Sequence, residues 1–501
     1  MNVRSLAIVI AAALSALTAA CSGLPKDIAE APQAQPMNVL FIVSDDLNTR
    51  LGTYGSPVQT PNIDQLAQMG IRFDRAYSQY PWCGPSRASF MTGLRPDTVG
   101  VFDLATPLRG KIPDLLTIPQ HFRQNGYFTA RVGKIFHQGV PGGVGRPGPD
   151  DPLSWDVAID PAGHDLEVLD RLENMTPGAH IGSALAFYED SVDDLQQTDG
   201  MVASEAIRLI DENASGPFFI AAGFYRPHVP EVVPTQYFDL YDLDDIPAWS
   251  ITDESPAPLA SASWLPDNLG MTEIEQRRFI RSYYAAISFV DAQVGRLLDA
   301  LEERGLAQNT IVVFVSDHGF LLGEHGQWLK TSLWEPATRT PLIIYAPGMQ
   351  GNGTATPAPV ELIDLFPTLA QLTGLPVPEI LEGRSLAPLL ARPQATNWNH
   401  PAFSQITGGR SVRTERWRYT EFEAGRAGRQ LFDHQNDPDE TRNLAEYPQY
   451  AAVVEELGAL LPDDVEPRRP PLRYDPENDC VQQDRSFGTT LGTPCEAYVD
   501  P

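Results

Sequence analysis

Two groups of residues in this chain have types and spacings that can do chemistry. The first is Cys83-Gly84-Pro85-Ser86-Arg87. Pro85 suits the first turn of a helix, where a missing N–H costs nothing, so Cys83 is expected at a helix start whose free N–H groups favour an anionic nucleophile. Arg87, one turn later, adds a planar fork for oxyanions. An isolated cysteine is more often a buried structural thiol. The second group is acidic. Asp45 and Asp46 are adjacent like charges, unfavourable unless a cation lies between them, and a dense set of oxygen ligands selects Ca²⁺ or Mg²⁺ over a thiolate-seeking metal. Aspartates capping or turning at a strand end are the plainer reading of that pair.

These residues need elements to hold them. Met37 to Val43 is a continuous apolar run of the kind buried on both faces of a parallel sheet, and Ile311 to Val315 is a second. Each is followed at once by Ser-Asp, giving Asp45-Asp46 after one and Asp317-His318 after the other. Ligands in open α/β sheets gather outside the carboxyl ends of strands, so the two acidic ends are expected to meet. Helical stretches are expected at Pro61 to Met69, Ile118 to Gln124 and Phe279 to Arg304, with Asn or Gly at the stops. Apolar strands alternating with amphipathic helices predict an α/β sandwich. Val140 to Pro152 and Ser255 to Ser263 read as surface insertions. Past Pro388 short β-rich segments predict a hairpin around Glu415-Arg416, followed by a strand at Leu431-Phe432-Asp433.

Cys-x-Pro-Ser-Arg at 83–87 resembles the maturation signal of the type I sulfatases, whose cysteine is oxidised to formylglycine. Gly126-Tyr127-Phe128-Thr129-Ala130-Arg131-Val132-Gly133-Lys134 resembles that family's second signature and runs on into His137. Thr117 to Gln120, Asp317-His318-Gly319 and Gly323-Glu324-His325-Gly326 are most similar to its iduronate-2-sulfatase branch. Trp82 stands where a small or aliphatic residue is more usual.

The resemblance implies an alkaline-phosphatase-like sandwich, with a large, mostly parallel central sheet and a smaller C-terminal antiparallel sheet. It implies a calcium ion, with magnesium as the alternative, held by Asp45, Asp46, Asp317, His318 and the oxidised Cys83. It also implies hydrolysis of a sulfate monoester, on a sugar of the 2-O-sulfated uronic acid type. One hydroxyl of the hydrated aldehyde attacks sulfur, while Arg87, Lys134 and Lys330 hold the sulfate oxygens. His228 or Lys330 protonates the leaving oxygen. His137 takes the proton of the second hydroxyl and so expels sulfate. Partners implied are a sulfated carbohydrate and a formylglycine-generating enzyme. His325 is left without a role. Phosphodiesterases and phosphonate hydrolases of the wider alkaline-phosphatase group are the enzymatic alternative, and a glycan-binding surface lipoprotein with unconverted Cys83 is the non-enzymatic one.

The formal net charge of -29 over 501 residues argues against nucleic-acid binding, which needs a basic patch to displace counterions. A sulfated substrate must then be received by a local basic pocket. Arg4 followed by the apolar run to Ala20 reads as a secretory signal over residues 1–20. Leu17-Thr18-Ala19-Ala20-Cys21 resembles a bacterial lipobox, which makes Cys21 a lipid anchor and 21–36 a lipidated or flexible tether. Cleavage with free periplasmic release is the alternative. The chain is thus expected to be exported, as a periplasmic or surface lipoprotein of a bacterium, with a catalytic domain at 37–395 and a C-terminal subdomain at 396–501. Cys480 and Cys495 are left as a pair in a compartment that tolerates disulfides.

Overall fold

The computed structural model describes residues 36–462, apart from 249–252, 256, 263–266 and 396, together with the short strands Arg473–Asp475 and Cys480–Gln482. The 1–20 leader, all but the last residue of the 21–36 tether, Cys21 and the Cys480–Cys495 pairing lie outside the described residues, as does part of the Ser255 to Ser263 insertion. Among the described residues, eight strands form the main sheet. They are β1 (Asn38–Ser44), β2 (Ile71–Tyr77), β3 (Phe128–Gly133), β4 (Val157–Ile159), β5 (Phe218–Phe224), β6 (Thr310–Ser316), β7 (Arg339–Tyr345) and β8 (Thr354–Glu361), in spatial order β8-β2-β7-β6-β1-β5-β3-β4. Strand β7 alone in this sheet opposes the rest, pairing antiparallel with both β2 and β6.

Strands β1 and β6 are buried at every position, which is why they read as unbroken apolar runs. Alternation sends Leu40 and Ile42 to one face and Val39, Phe41 and Val43 to the other. The first face packs on α1 (Pro61–Met69), α4 (Thr198–Asn213) and α5 (Glu273–Glu303) through Ile63, Val202 and Phe279. The second packs on α2 (Cys83–Thr92), α3 (Ile118–Gln124) and α6 (Leu365–Leu372) through Phe90, Phe122 and Leu365. Helix α5 starts six residues before the expected Phe279. Its first turns are polar, and the start is fixed instead by a capping box between Thr272 and Glu275.

The smaller sheet is an antiparallel meander of β9 (Ala402–Ile406), β10 (Gly409–Arg413), β11 (Trp417–Phe422) and β12 (Arg429–Asp433). Arg413 faces Arg418 across the turn expected at Glu415-Arg416. Helix α7 (Ala451–Gly458) covers one side, with Leu457 against Val412, Tyr419 and Leu431. Buried charges tie the two sheets together. Arg418, on β11, is ion-paired with Glu440 at 2.7 Å and also contacts Glu335, which precedes β7; His434 bonds Glu440 at 2.9 Å. Burial raises the Glu335 pKa, but Arg413 and Arg418 outweigh it and hold the carboxylate well below its usual range.

Candidate active site

The carboxyl ends of five parallel strands converge on one buried cluster. Asp45 and Asp46 follow β1, Asp317 and His318 follow β6, Lys134 and His137 follow β3, Arg226 and His228 follow β5, and Cys83 lies six residues beyond β2. Asp45, Asp46, Cys83, Arg87, Lys134, Asp317 and His318 are each at most 1% exposed. Ligand atoms of Asp45, Asp46, Cys83 and His228 lie within 4.8 Å of one another, as do those of Cys83, Asp317 and His318.

Cys83 opens α2, preceded by Trp82 in extended backbone at the cap position and with Pro85 inside the first turn. Its Sγ lies 3.1 Å from Lys330 Nζ, 3.4 Å from His318 Nε2 and 3.6 Å from an Asp46 carboxylate oxygen. Burial and Asp45 push the thiol pKa up, but Lys134 and Lys330 prevail and bring it below the ordinary value. The thiol therefore sits where an anion is stabilised, and a solvent-excluded structural cysteine does not need two lysines.

Arg87, expected to hold sulfate oxygens, is engaged by protein oxygens. Its Nε donates to Asp317 Oδ2 at 2.8 Å, Nη2 to Asp45 Oδ1 at 2.9 Å, and Nη1 to the carbonyls of Lys134 and Ile135. Four of its five N–H groups are met by protein oxygens, so Arg87 aligns the two carboxylates. Lys134 donates to Asp45 Oδ2 at 2.5 Å, and Lys330 contacts Asp46. Two facing glycines make room for Lys134. Gly133 has φ of 72°, and a Cβ on Gly223 would lie 2.1 Å from the Lys134 carbonyl.

The carboxylates are held from behind. Asp46 adopts a left-handed φ of 63°, unusual for a side-chain-bearing residue, and is pinned there by Tyr283 Oη donating to its carbonyl at 2.7 Å. Burial pushes the Asp46 carboxyl up to about 8, with Cys83 and Asp45 adding repulsion against the pull of Lys330. Its Oδ2 is enclosed without a hydrogen-bond partner. In contrast, Lys134 and Arg87 overcome burial to hold Asp45 well below the carboxylate range. An orphaned carboxylate oxygen among three buried aspartates fits a hard divalent cation. His318 donates from Nδ1 to the Gly319 carbonyl at 2.8 Å, which turns Nε2 toward the thiol. Burial alone would lower its pKa, yet Asp317 and Cys83 lift it to about 9, showing how strongly this point attracts positive charge.

His228 donates from Nδ1 to the Val229 carbonyl at 2.6 Å, leaving Nε2 as an acceptor 3.8 Å from Asp46 Oδ2. Burial and Lys330 drive its pKa well below the ordinary histidine value. His137 is half-buried beside the cluster, with Nδ1 unpartnered, and burial with Lys134 lowers its pKa to about 3. His325 lies apart, stacked on Trp334 at 3.7 Å and bonded to Asp253 at 2.8 Å.

Several supports were not legible in the sequence. Asp199 accepts the backbone N–H groups of Tyr225 and Arg226 at 2.8 and 2.9 Å, and Arg226 reaches forward to the His228 carbonyl, so the two shape the loop that presents His228. Glu231 is fully buried, and neither carboxyl oxygen has a partner; burial raises its pKa far above the ordinary value. Both acids lie in segments without a charge pattern, and a motif search passes over them.

Comparison with known proteins agrees with this geometry. A sulfatase family model matches residues 37–375, and a model described as N-sulphoglucosamine sulphohydrolase, C-terminal, matches residues 323–465. A sulfatase of Formosa agariphila is 33% identical over 85% of this chain and 86% of its own length. Human iduronate 2-sulfatase is 35% identical over 72% of this chain and 73% of its own. The phosphonate monoester hydrolase of Silicibacter pomeroyi shares the fold, with a TM-score of 0.68 at 24% identity over 85% of this chain and 94% of that one. The chain belongs to the sulfatase family, the sulfuric ester hydrolases, and has its alkaline-phosphatase-like fold.

Proposed function

We propose that Cys83 is converted to formylglycine and that the enzyme hydrolyses a sulfate monoester on a carbohydrate of the 2-O-sulfated uronic acid type, using one divalent ion, calcium. The observation that carries this reading is the placement of one buried thiol between Lys330 and His318, against three buried aspartates. The sugar class is supported by the likeness to human iduronate 2-sulfatase. Asp45, Asp46, Asp317, His318 and the side chain at position 83 would hold the ion, whose charge activates a hydroxyl nucleophile and offsets the sulfuryl oxygens.

The residues divide the remaining work. The hydrated aldehyde has two hydroxyls, and as one attacks sulfur the bond from sulfur to the sugar oxygen breaks. Lys330 delivers the proton to that oxygen. Desolvation works against its charge, but with Cys83 unconverted Asp46 is the leading carboxylate that raises its pKa, and that carboxylate remains after conversion. His228, an acceptor at Nε2, is the weaker candidate for this acid role. Neutral His137 takes the proton of the second hydroxyl, the carbon–oxygen bond to sulfate breaks, and the aldehyde returns. Lys134 and Lys330 supply positive charge for the sulfuryl oxygens.

Replacing Cys83 by serine tests this division. Serine has one hydroxyl, so attack on sulfur leaves a sulfated enzyme with nothing to expel the sulfate. The expected result is at most one equivalent of alcohol per site and a mass gain of one sulfuryl group. Sustained turnover by verified Cys83→Ser moves the phosphodiesterase-like reading ahead. Release assays on defined sulfated saccharides test the sugar class. We also propose export with lipid on Cys21; labelled fatty acid entering the wild type and Cys21→Ala equally overturns it.

A further inference from the structure

Beside the metal-binding cluster, at the same end of the main sheet, is a separate cavity of about 240 Å³ whose walls include Asn48, Arg50, Tyr54, His325, Arg339 and Asp439. It shares a partition with the reaction centre. Asn48 stands two residues beyond Asp46, and the segment carrying Arg339 is tied to the residue after His318 by Gly319 N–H donating to the Ala337 carbonyl at 2.9 Å.

The charges on its walls are unequally satisfied. Glu324 is paired with Arg50 at 2.8 Å, and Glu335 and Glu440, which also border the cavity, are engaged by Arg418 on the far side. Arg339 has no ion-pair partner among the described residues. Its guanidinium lies 5.9 Å from the centre of the Tyr54 ring, and the side chain is only half-buried where it lines the cavity. A guanidinium on a cavity wall without a counter-ion is a ready partner for a carboxylate or sulfate oxygen that enters the cavity. Thr49, Ser56, His325 and the second guanidinium, paired to Glu324, add half-buried polar groups of the kind that meet a sugar's hydroxyls.

We infer that this cavity is a second saccharide subsite, in which Arg339 receives an acidic group of the sugar unit next to the one being desulfated. The inference rests on the carbohydrate reading above. It makes Arg339 a specificity-determining residue, with no part in the bond-breaking steps, and it makes the preferred substrate an oligosaccharide with an anionic neighbour. Asp439, exposed on the rim, would then oppose binding.

Wild type, Arg339→Gln and Asp439→Ser, each with formylglycine verified by mass, are assayed on a small aryl sulfate and on three uronate 2-O-sulfate disaccharides. The disaccharides carry a neighbouring carboxylate, a neighbouring sulfate, or a neutral neighbour. Loss of a charged hydrogen bond predicts that the ratio of kcat/KM for the anionic disaccharides to that for the aryl sulfate falls at least about tenfold in Arg339→Gln, through KM rather than kcat. The same ratio rises in Asp439→Ser, whose exposed position keeps folding out of the comparison. The carboxylate and sulfate arms identify the preferred anion. Ratios within twofold of wild type in both variants, or an equal fall for the neutral disaccharide, overturn the inference.

Calorimetric titration of the same disaccharides into Cys83→Ala and Cys83→Ala/Arg339→Gln separates it from the reading beneath. Tenfold weaker binding of the anionic disaccharides in the double variant supports the subsite, even if the wild type hydrolyses none of them and the carbohydrate reading fails. Equal binding, or none, overturns the subsite.

Discussion

Lys330 Nζ stands 3.1 Å from the Sγ of Cys83 and also contacts the carboxylate of Asp46. The same ammonium thus faces both the nucleophile's position and a candidate metal ligand. It is flanked by Leu329 and Thr331 at φ of 68° and 67°, a strained backbone that the surrounding fold must impose. Lys330→Met is expected to lower kcat by about two to four orders of magnitude, the scale of a general acid, with the circular dichroism spectrum unchanged. A loss below fivefold on an unactivated sugar sulfate removes Lys330 from the acid role.

Arg87 makes a different prediction, because it bridges Asp45 and Asp317 with no exposure to solvent. Breaking a buried, hydrogen-bonded ion pair leaves uncompensated charge, so Arg87→Ala should cost about 3–5 kcal/mol in denaturant unfolding. Arg87→Lys should recover little of it, since one ammonium cannot serve two carboxylates and two carbonyls. Full stability in either variant contradicts the bridging role.

Metal content follows from the orphaned oxygen of Asp46. Elemental analysis of the folded protein is expected to find one divalent ion per chain. Chelation should lower both activity and Tm, with calcium restoring them, because a ligand bound only to the native state stabilises it by mass action. Asp46→Asn and Asp317→Asn should weaken metal retention. An unchanged Tm on exhaustive chelation refutes a resident ion.

His137 gives the pH dependence. Its folded pKa of about 3 lies below the ordinary value near 6.5. Between those values the unfolded chain holds a proton that the native state excludes, so stability contributed by neutral His137 is present above about pH 6.5 and is lost as pH falls toward 3. His137→Gln should reduce the slope of unfolding free energy against pH by up to about one proton in that window. Parallel profiles for wild type and variant would show that His137 is not held neutral.

The parts of this architecture that were legible have local causes. The buried strands β1 and β6 are apolar at nearly every residue, and the acids at their ends stand next to them in sequence, so Asp45, Asp46, Asp317 and His318 could be found without any tertiary information. The single-sheet antiparallel strand β7 and the edge strand β8 were not legible. Thr354–Glu361 contains prolines that argue against a strand, and it pairs with β2 only across a register shift between Thr356 and Pro359. Arg87 reads from its motif as a free cation; only the fold reveals the two carboxylates and two carbonyls that it bonds. Asp199 and Tyr283 act on the site from residues whose neighbours in sequence give no sign of it.

Strands β1 and β6 lie side by side, although Asp46 and Asp317 are 271 positions apart. During synthesis, therefore, Cys83 emerges long before Asp317 and Lys330 exist. At roughly 5–20 residues per second the interval is on the order of ten seconds to a minute. Throughout that interval the thiol has no completed pocket around it, whereas in the finished fold it is 1% exposed. Access to this cysteine in an extended chain therefore ends when β6 docks, and a variant that delays that docking lengthens it.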